Sequence, residues 1–366
     1  MKKYISVSAG VLIVIALLVF GNKDNQKIRI GLVGPFTGNS AAFGEFMQKG
    51  LDLATNELSP EQKLHVEIIK EDDSCSGKNA VSVVQKLIQV DHVKYIIGPL
   101  CNESSLATEK LFEDSKVISL TVGLPSNAIA NMGKYHFSFS PEIEFLMKAV
   151  SKKMISNGVK KVAVIHMVSA FEDENYKHFV SNFRALGGEI VADEAEVKGA
   201  TDFRDAILKA KQAKPDAFML IAVTGELNTI LKQIRVQNML TLPKYGIHAA
   251  ETSVILQDKG LADGLIYPYP GDREEIDSAS TFAKSFKEEF NSSPNPYSAN
   301  VYDSFKILET TIGNCGYNNV ECVQQHLSNL KDYKGANGSL SVDERGVGTY
   351  KEIMLKIVRD GRFEVL

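Results

Sequence analysis

The chain has 366 residues, 44% of them hydrophobic and 23% charged, with a formal net charge of −4. Its Lys and Arg are scattered and never interleave with aromatics in a stripe, which argues against nucleic acid as a partner. Trp is absent, and there is no 20–50-residue repeat, Gln/Asn tract or Pro-rich linker, so the composition is that of a globular protein.

The chain opens with Lys2 and Lys3 ahead of an apolar run over residues 5–20, the length of a signal-peptide core. Val19 and Gly21 stand as the small residues of a cleavage site that would leave Asn22 first, so residues 1–21 read as a signal peptide. An uncleaved membrane anchor is the alternative, although the run is short for a spanning helix. No Cys at the junction marks a lipoprotein. Loss of Lys2 and Lys3 takes the 41 basic residues to 39 against 45 acidic, a net charge near −6. About 340 residues remain, more than one compact core holds, and two lobes are expected.

Strand and helix patterns then alternate. Strands are expected over 27–33, 64–69, 93–97 and 117–122, with helices over 42–56, 80–88 and 106–112 between them. After Pro141 the cycle restarts, with strands over 162–166, 189–197, 217–223, 244–248 and 264–267. Helices over 144–156, 175–186, 203–211 and 227–237 separate the first four of these strands and precede the set. Helices over 279–290 and 297–312 follow, and residues 350–359 alternate as an edge strand. The fold class is α/β: two doubly wound lobes, each a parallel sheet covered by helices.

Two loops stand out, Asp72-Asp73-Ser74-Cys75-Ser76 and Gly98-Pro99-Leu100-Cys101-Asn102-Glu103-Ser104-Ser105. Each follows an apolar strand and precedes a helix, at the carboxyl end of a parallel strand where α/β sheets bind ligands. The four cysteines form two local pairs, Cys75 with Cys101 and Cys315 with Cys322. The export signal favours disulfides over free thiols. Neither pair has CxxC spacing and no His cluster accompanies them, so no metal is expected. There is also no Gly-x-Ser-x-Gly elbow, no GxGxxG after the first strand and no P-loop, so no enzyme and no cofactor are expected.

Ile30-Gly31-Leu32-Val33-Gly34-Pro35-Phe36-Thr37-Gly38, Asp72-Asp73 with Cys75, and Ile97-Gly98-Pro99-Leu100-Cys101 form one ordered set. With Phe112-Glu113-Asp114, Val162-Ala163-Val164-Ile165-His166, Tyr302-Asp303 and Gly335-Ala336-Asn337-Gly338, the chain resembles the branched-chain amino-acid (Leu/Ile/Val)-binding proteins. These have the type I periplasmic-binding fold and serve as receptor subunits of ABC importers. The resemblance implies two lobes, residues 27–141 with 273–348 and residues 142–272 with 349–366, joined by a three-segment hinge. It also implies a monomeric periplasmic receptor without a cofactor, whose partners are a small-molecule ligand and a membrane permease. Its Cys75–Cys101 bridge corresponds to one in leucine-binding members. The alternatives are a sensory domain anchored at the outer face of the inner membrane, or a carrier of an amide or small carboxylate.

The resemblance carries a ligand site over residue by residue. Asn102, with Ser104, takes the place of a hydroxyl residue that holds the ligand carboxylate. Gly123, Leu124, Pro125 and Ser126 replace a small-small-Thr turn. Phe171 and Val223, the latter beside Thr224, replace second-lobe tyrosines. Phe43 packs on the ligand side chain, and His248 or Glu251 stands for the acid that pairs with the ligand ammonium. These departures remove donors and acceptors that a zwitterion needs in a dry cleft. The plainer readings are that Asn102, Glu103 and Ser104 cap a helix, that Phe43, Phe171 and His166 are core residues, that Asp72-Asp73 is a solvated loop, and that Asp303 packs within a helix.

Overall fold

The computed structural model describes residues 27–38, 40–270, 276–350 and 353–366. The expected signal peptide lies outside them. Strands β1 (Ile28–Gly34), β2 (Val66–Asp72), β3 (Tyr95–Ile97), β4 (Ile118–Thr121) and β5 (His136–Ser138) form an all-parallel sheet in the order β2-β1-β3-β4-β5. Between them run helices α1 (Ala41–Asn56), α2 (Pro60–His65), α3 (Gly77–Gln89), α4 (Asn102–Ser115) and α5 (Asn127–Ala130). The middle strands are continuous apolar runs because helices cover both faces. Leu32, Ile97 and Leu120 face one core with Val301, Phe305 and Leu308, while Val33 and Ile96 face another with Val84 and Leu87.

The cycle repeats in α6 (Ile143–Ser156), β6 (Lys161–Val168), α7 (Ala170–Ala185), β7 (Glu189–Val197), α8 (Arg204–Gln212), β8 (Ala217–Ile221), α9 (Thr224–Val236), β9 (Lys244–Gly246) and β10 (Leu265–Tyr269). Helices α10 (Ile276–Phe290), α11 (Pro296–Cys315) and α12 (Val320–Ser328) follow, then strands β11 (Tyr333–Gly335), β12 (Gly338–Val342) and β13 (Gly348–Thr349) in a small sheet of their own. The chain ends in β14 (Met354–Arg359) and β15 (Arg362–Val365). The second sheet has the order β15-β14-β10-β9-β8-β6-β7, so the chain passes between the two large sheets after β5, β10 and β13.

The tail corrects one expectation. Its strand does not form the edge: β14 pairs antiparallel with β10, and β15 lies outside it. The turn at Asp360 and Gly361, both at positive φ, folds the chain back into a hairpin. The other expected elements are present to within about five residues, while β5, β11–β13, β15 and the helices α2, α5 and α12 stand outside the expected set, most of them too short for a period to register.

Helix α11 belongs with the first sheet, packing along α1. Asp303, buried within α11, accepts hydrogen bonds from the Ala336 (2.8 Å) and Asn337 (3.4 Å) amides and so holds the β11–β12 turn. Burial pushes its carboxyl up to about 7. Asp72 is more than a solvated loop residue. It accepts from the Phe36 amide (2.8 Å) and the Thr37 hydroxyl (2.5 Å), clamping the loops after β1 and β2 together. His166 is buried near the carboxyl end of β6 and stacked on Tyr176 at 4.1 Å.

Candidate functional site

Both large sheets use the strand order 2-1-3-4-5 within their parallel part, with order reversals beside β1 and β6. Ligands bind outside the carboxyl ends of strands at such reversals. A cavity of about 80 Å³ lies at that place, lined from both sheets. One water needs roughly 10–15 Å³ on the same scale, so a small organic molecule fits.

From the first sheet, the loop after β1 and the start of α1 supply Ser40 and Phe43, and the loop after β2 supplies Cys75. Leu100, Cys101, Asn102 and Glu103 come from the turn into α4, and Gly123 and Leu124 from the loop after β4. From the second sheet, the start of α7 brings Phe171 and Glu172. Lys198 follows β7, Val223 follows β8 and Ala249 follows β9. Tyr297 at the start of α11 packs edge-on against Phe43, ring centroids 5.1 Å apart.

Two glycines let the rim close. Gly98 has a φ of +110°, and a Cβ there would lie 2.0 Å from the Val33 carbonyl oxygen. A Cβ on Gly123 would lie 2.3 Å from the Leu100 carbonyl oxygen, so the bare backbone brings the loops after β3 and β4 together.

Much of the wall is apolar, and its polar groups fall into two sets. At the first lobe, helix α4 begins after Cys101, which makes no side-chain cap, so its first-turn N–H groups have no side-chain acceptor. Asn102 therefore does not cap this helix. It is buried, and its Nδ2 has no hydrogen-bond partner. A helix N-terminus with an added amide donor suits a carboxylate or carbonyl oxygen. At the second lobe, Glu172 is 1% exposed and its Oε1 has no partner, while the Ser169 hydroxyl donates to Oε2. Burial pushes the Glu172 carboxyl up, against the opposing pull of the Ser169 hydrogen bond and Lys198. Lys198 itself is exposed at the rim.

Of the expected site residues, Phe43, Asn102, Gly123, Leu124, Phe171 and Val223 line the cavity. The other six do not. Ser104 is buried beside Asp73. Pro125 is buried, and Ser126 accepts from the Ile129 amide as the cap of α5. The Thr224 hydroxyl donates to the Ala249 carbonyl at 3.4 Å. His248 packs edge-on against Phe171, ring centroids 5.5 Å apart, and lies 6.3 Å from the Tyr297 ring. Burial holds its imidazole down at about 3, and neither ring nitrogen has a partner. Glu251 accepts from the Tyr267 hydroxyl at 2.9 Å and pairs with Lys356.

Sequence reasoning missed Ser40, Leu100, Glu103, Glu172, Lys198, Ala249 and Tyr297 as lining residues. The strand-end rule that drew attention to Cys75 and Cys101 applies equally to Lys198 after β7. Ser169-Ala170-Phe171-Glu172 has the spacing of a helix capping box. That box does not form: the Ser169 side chain makes no cap bond and turns instead to the Glu172 carboxylate. Tyr297 has no local signal, because α11 reaches the site only through the return of the chain to the first lobe.

Both cysteine pairs are joined, with Cα–Cα distances of 5.3 Å for Cys75–Cys101 and 5.7 Å for Cys315–Cys322. The first bridge lies in the cavity wall, and the second ties the end of α11 to α12. A single histidine stands beside the second pair, with His326 Nδ1 3.3 Å from Cys315 Sγ. Both sulfurs are already bonded to each other.

A cavity lined by strand ends of two similar α/β sheets that the chain links three times defines a two-lobed binding protein. Residues 27–355 match the family described as periplasmic binding protein, and the chain belongs to it. It is 22% identical to the leucine-specific-binding protein of Salmonella typhimurium, over 94% of both chains. Among solved structures it is similar to the branched-chain amino-acid transporter substrate-binding protein LivJ of Streptococcus pneumoniae in complex with isoleucine. That match has a TM-score of 0.84 and 23% identity, over 93% of this chain and 99% of the other. A solute-binding protein of an ABC transporter from R. palustris, in complex with benzoate, gives a TM-score of 0.82 and 19% identity, over 93% of this chain and 95% of the other. Its type I two-lobed fold is thus shared with receptors crystallised with different small ligands.

Proposed function

We propose that this protein is an extracytoplasmic receptor of an ABC importer that captures a small amino acid with an apolar side chain. Residues 27–141 with 273–348 act as one lobe and residues 142–272 with 349–366 as the other, closing on the ligand. A ligand that touches both lobes favours the closed form by its differential contacts, and a membrane permease recognises that form. The protein is a receptor and not a catalyst, and it works as a monomer.

The observation that carries this reading is the cavity itself, which draws its wall from the strand ends of both sheets. Phe43, Leu124, Phe171, Val223 and Tyr297 offer an apolar seat, and the uncapped start of α4 with Asn102 offers a carboxylate subsite. The signal-peptide pattern of residues 1–21 supports the same reading, and among the described residues no helix is long and apolar enough to cross a membrane.

A second reading is a carrier of a small carboxylate without an ammonium group. It is favoured by Phe171 and Val223, which put carbon where the resemblance expects tyrosine hydroxyls. Thermal-shift measurements on purified protein with leucine, isoleucine, valine, benzoate and short aliphatic amides separate the two. At a hundred times its dissociation constant a ligand adds about 2.7 kcal/mol of stability. Stabilisation by the branched amino acids supports the first reading. Stabilisation by benzoate or an amide alone replaces the substrate class, and silence across the whole panel counts against a receptor for any of them.

A further inference from the structure

We infer that Glu172 is the specificity-determining acceptor for the ligand's ammonium group, taking at the start of α7 the role expected of His248 or Glu251. The inference rests on the amino-acid reading above and deepens it.

Four observations converge on this residue. Neither expected candidate is placed to act. Glu251 is engaged by Tyr267 and Lys356, and His248, packed edge-on against Phe171, is outside the cavity lining. Glu172 lines the cavity, is 1% exposed and keeps Oε1 without a partner. A buried carboxylate oxygen with no donor is costly unless something else supplies one. Its other oxygen is fixed by the Ser169 hydroxyl, so the carboxylate is held in one orientation before any ligand arrives. In the first-lobe wall of the same cavity, Asn102 Nδ2 is a buried donor with no acceptor, at the uncapped start of α4. The two orphan groups have opposite needs, an N–H at the second lobe and an oxygen at the first. A zwitterionic α-amino acid supplies both and bridges the lobes.

The groups facing Glu172 come from three elements: Lys198 after β7, Glu226 on α9 and Tyr297 on α11. Lys198 favours the ionised carboxylate and Glu226 opposes it. Burial makes Glu172 easier to protonate, so ammonium binding weakens as the pH falls through its raised titration range.

The test is calorimetric titration of the full exported protein and its Glu172→Gln variant, each with L-leucine and with 4-methylpentanoate, the same carbon skeleton without the ammonium group. Glutamine keeps the shape, and an unchanged circular dichroism spectrum verifies the fold. The expected result is that the wild type prefers leucine and that E172Q loses on the order of a hundredfold for leucine, so that the preference collapses. Leucine affinity of the wild type should also fall as the pH is lowered toward the ordinary carboxylate range, with a flatter profile in E172Q. Leucine bound equally by both proteins overturns the role of Glu172 and leaves the amino-acid receptor standing. A wild type that binds 4-methylpentanoate as well as leucine also overturns it, and a wild type that binds neither removes this inference and the amino-acid reading together.

Discussion

Glu251 and Lys356 form an ion pair between the segment after β9 and strand β14, residues 105 apart in sequence. Their side chains are only 6% and 15% exposed, and Tyr267 completes the contact with a 2.9 Å hydrogen bond to the same carboxylate. Burial outweighs this pairing and raises the Glu251 carboxyl above its ordinary range. Removing one member of such a pair strands the other. Lys356→Met should therefore destabilise the protein by about 3–5 kcal/mol, read as a lower urea midpoint, while ligand affinity changes less than threefold. A large affinity loss in this variant, at a temperature where it is folded, would put Glu251 back in the binding site.

His136 sits in β5, 3% exposed, with both ring nitrogens unpartnered. Burial lowers its imidazole from the ordinary 6.5 to about 4. Below pH 6.5 the unfolded chain takes up a proton that the native imidazole refuses until about pH 4. Its contribution to stability is thus fully present above pH 6.5 and is lost toward pH 4, at about 1.4 kcal/mol per pH unit. His248 acts in the same direction. His136→Phe keeps a ring in the core and should lose less stability than the wild type between pH 7 and pH 5 in urea titrations. Equal losses in the two proteins would show that His136 does not titrate in this way.

Most of the fold was legible because its strands are apolar runs and its helices keep a regular period. β1, β6 and β8 are buried on both faces and read as strands without ambiguity. Part of the cavity lining was legible for a different reason: the family resemblance carried Phe43, Asn102, Gly123, Leu124, Phe171 and Val223 over residue by residue. Glu251 shows what chain order conceals. An acid after β9 looks free to meet a ligand until β14 returns to the second sheet and brings Lys356 to it. Glu172 was hidden by a local pattern, since its spacing from Ser169 fits helix capping as well as ligand binding. Tyr297 needed the lobe assignment first.

Phe43 and Tyr297 are in edge-to-face contact at 5.1 Å, and both line the cavity. Truncating Phe43 removes apolar surface that a ligand side chain would cover, a loss of about 1.5–3 kcal/mol for a fully buried ring. Phe43→Ala should therefore weaken leucine binding roughly 10–100-fold in calorimetric titration. Affinity within twofold of wild type would mean that the ligand side chain points elsewhere in the cleft.

The two disulfides differ in what they hold, and their removal should separate stability from binding. In the chain-entropy picture, Cys75–Cys101, with a sequence separation of 26, contributes about 3.5 kcal/mol. On the same formula Cys315–Cys322, with a separation of 7, contributes about 2.4 kcal/mol. The stability difference is modest, but only the first bridge lies in the cavity wall, beside Leu100 and Asn102. Replacing Cys75 and Cys101 by Ala should lower the melting temperature and also weaken leucine binding, because the turn into α4 loses its tether to the loop after β2. The matching change at Cys315 and Cys322 should lower the melting temperature less and leave affinity alone. The decisive comparison is affinity measured for both double variants at a temperature where each is fully folded. If both bind leucine as the wild type does, the Cys75–Cys101 bridge stabilises the fold without positioning the site.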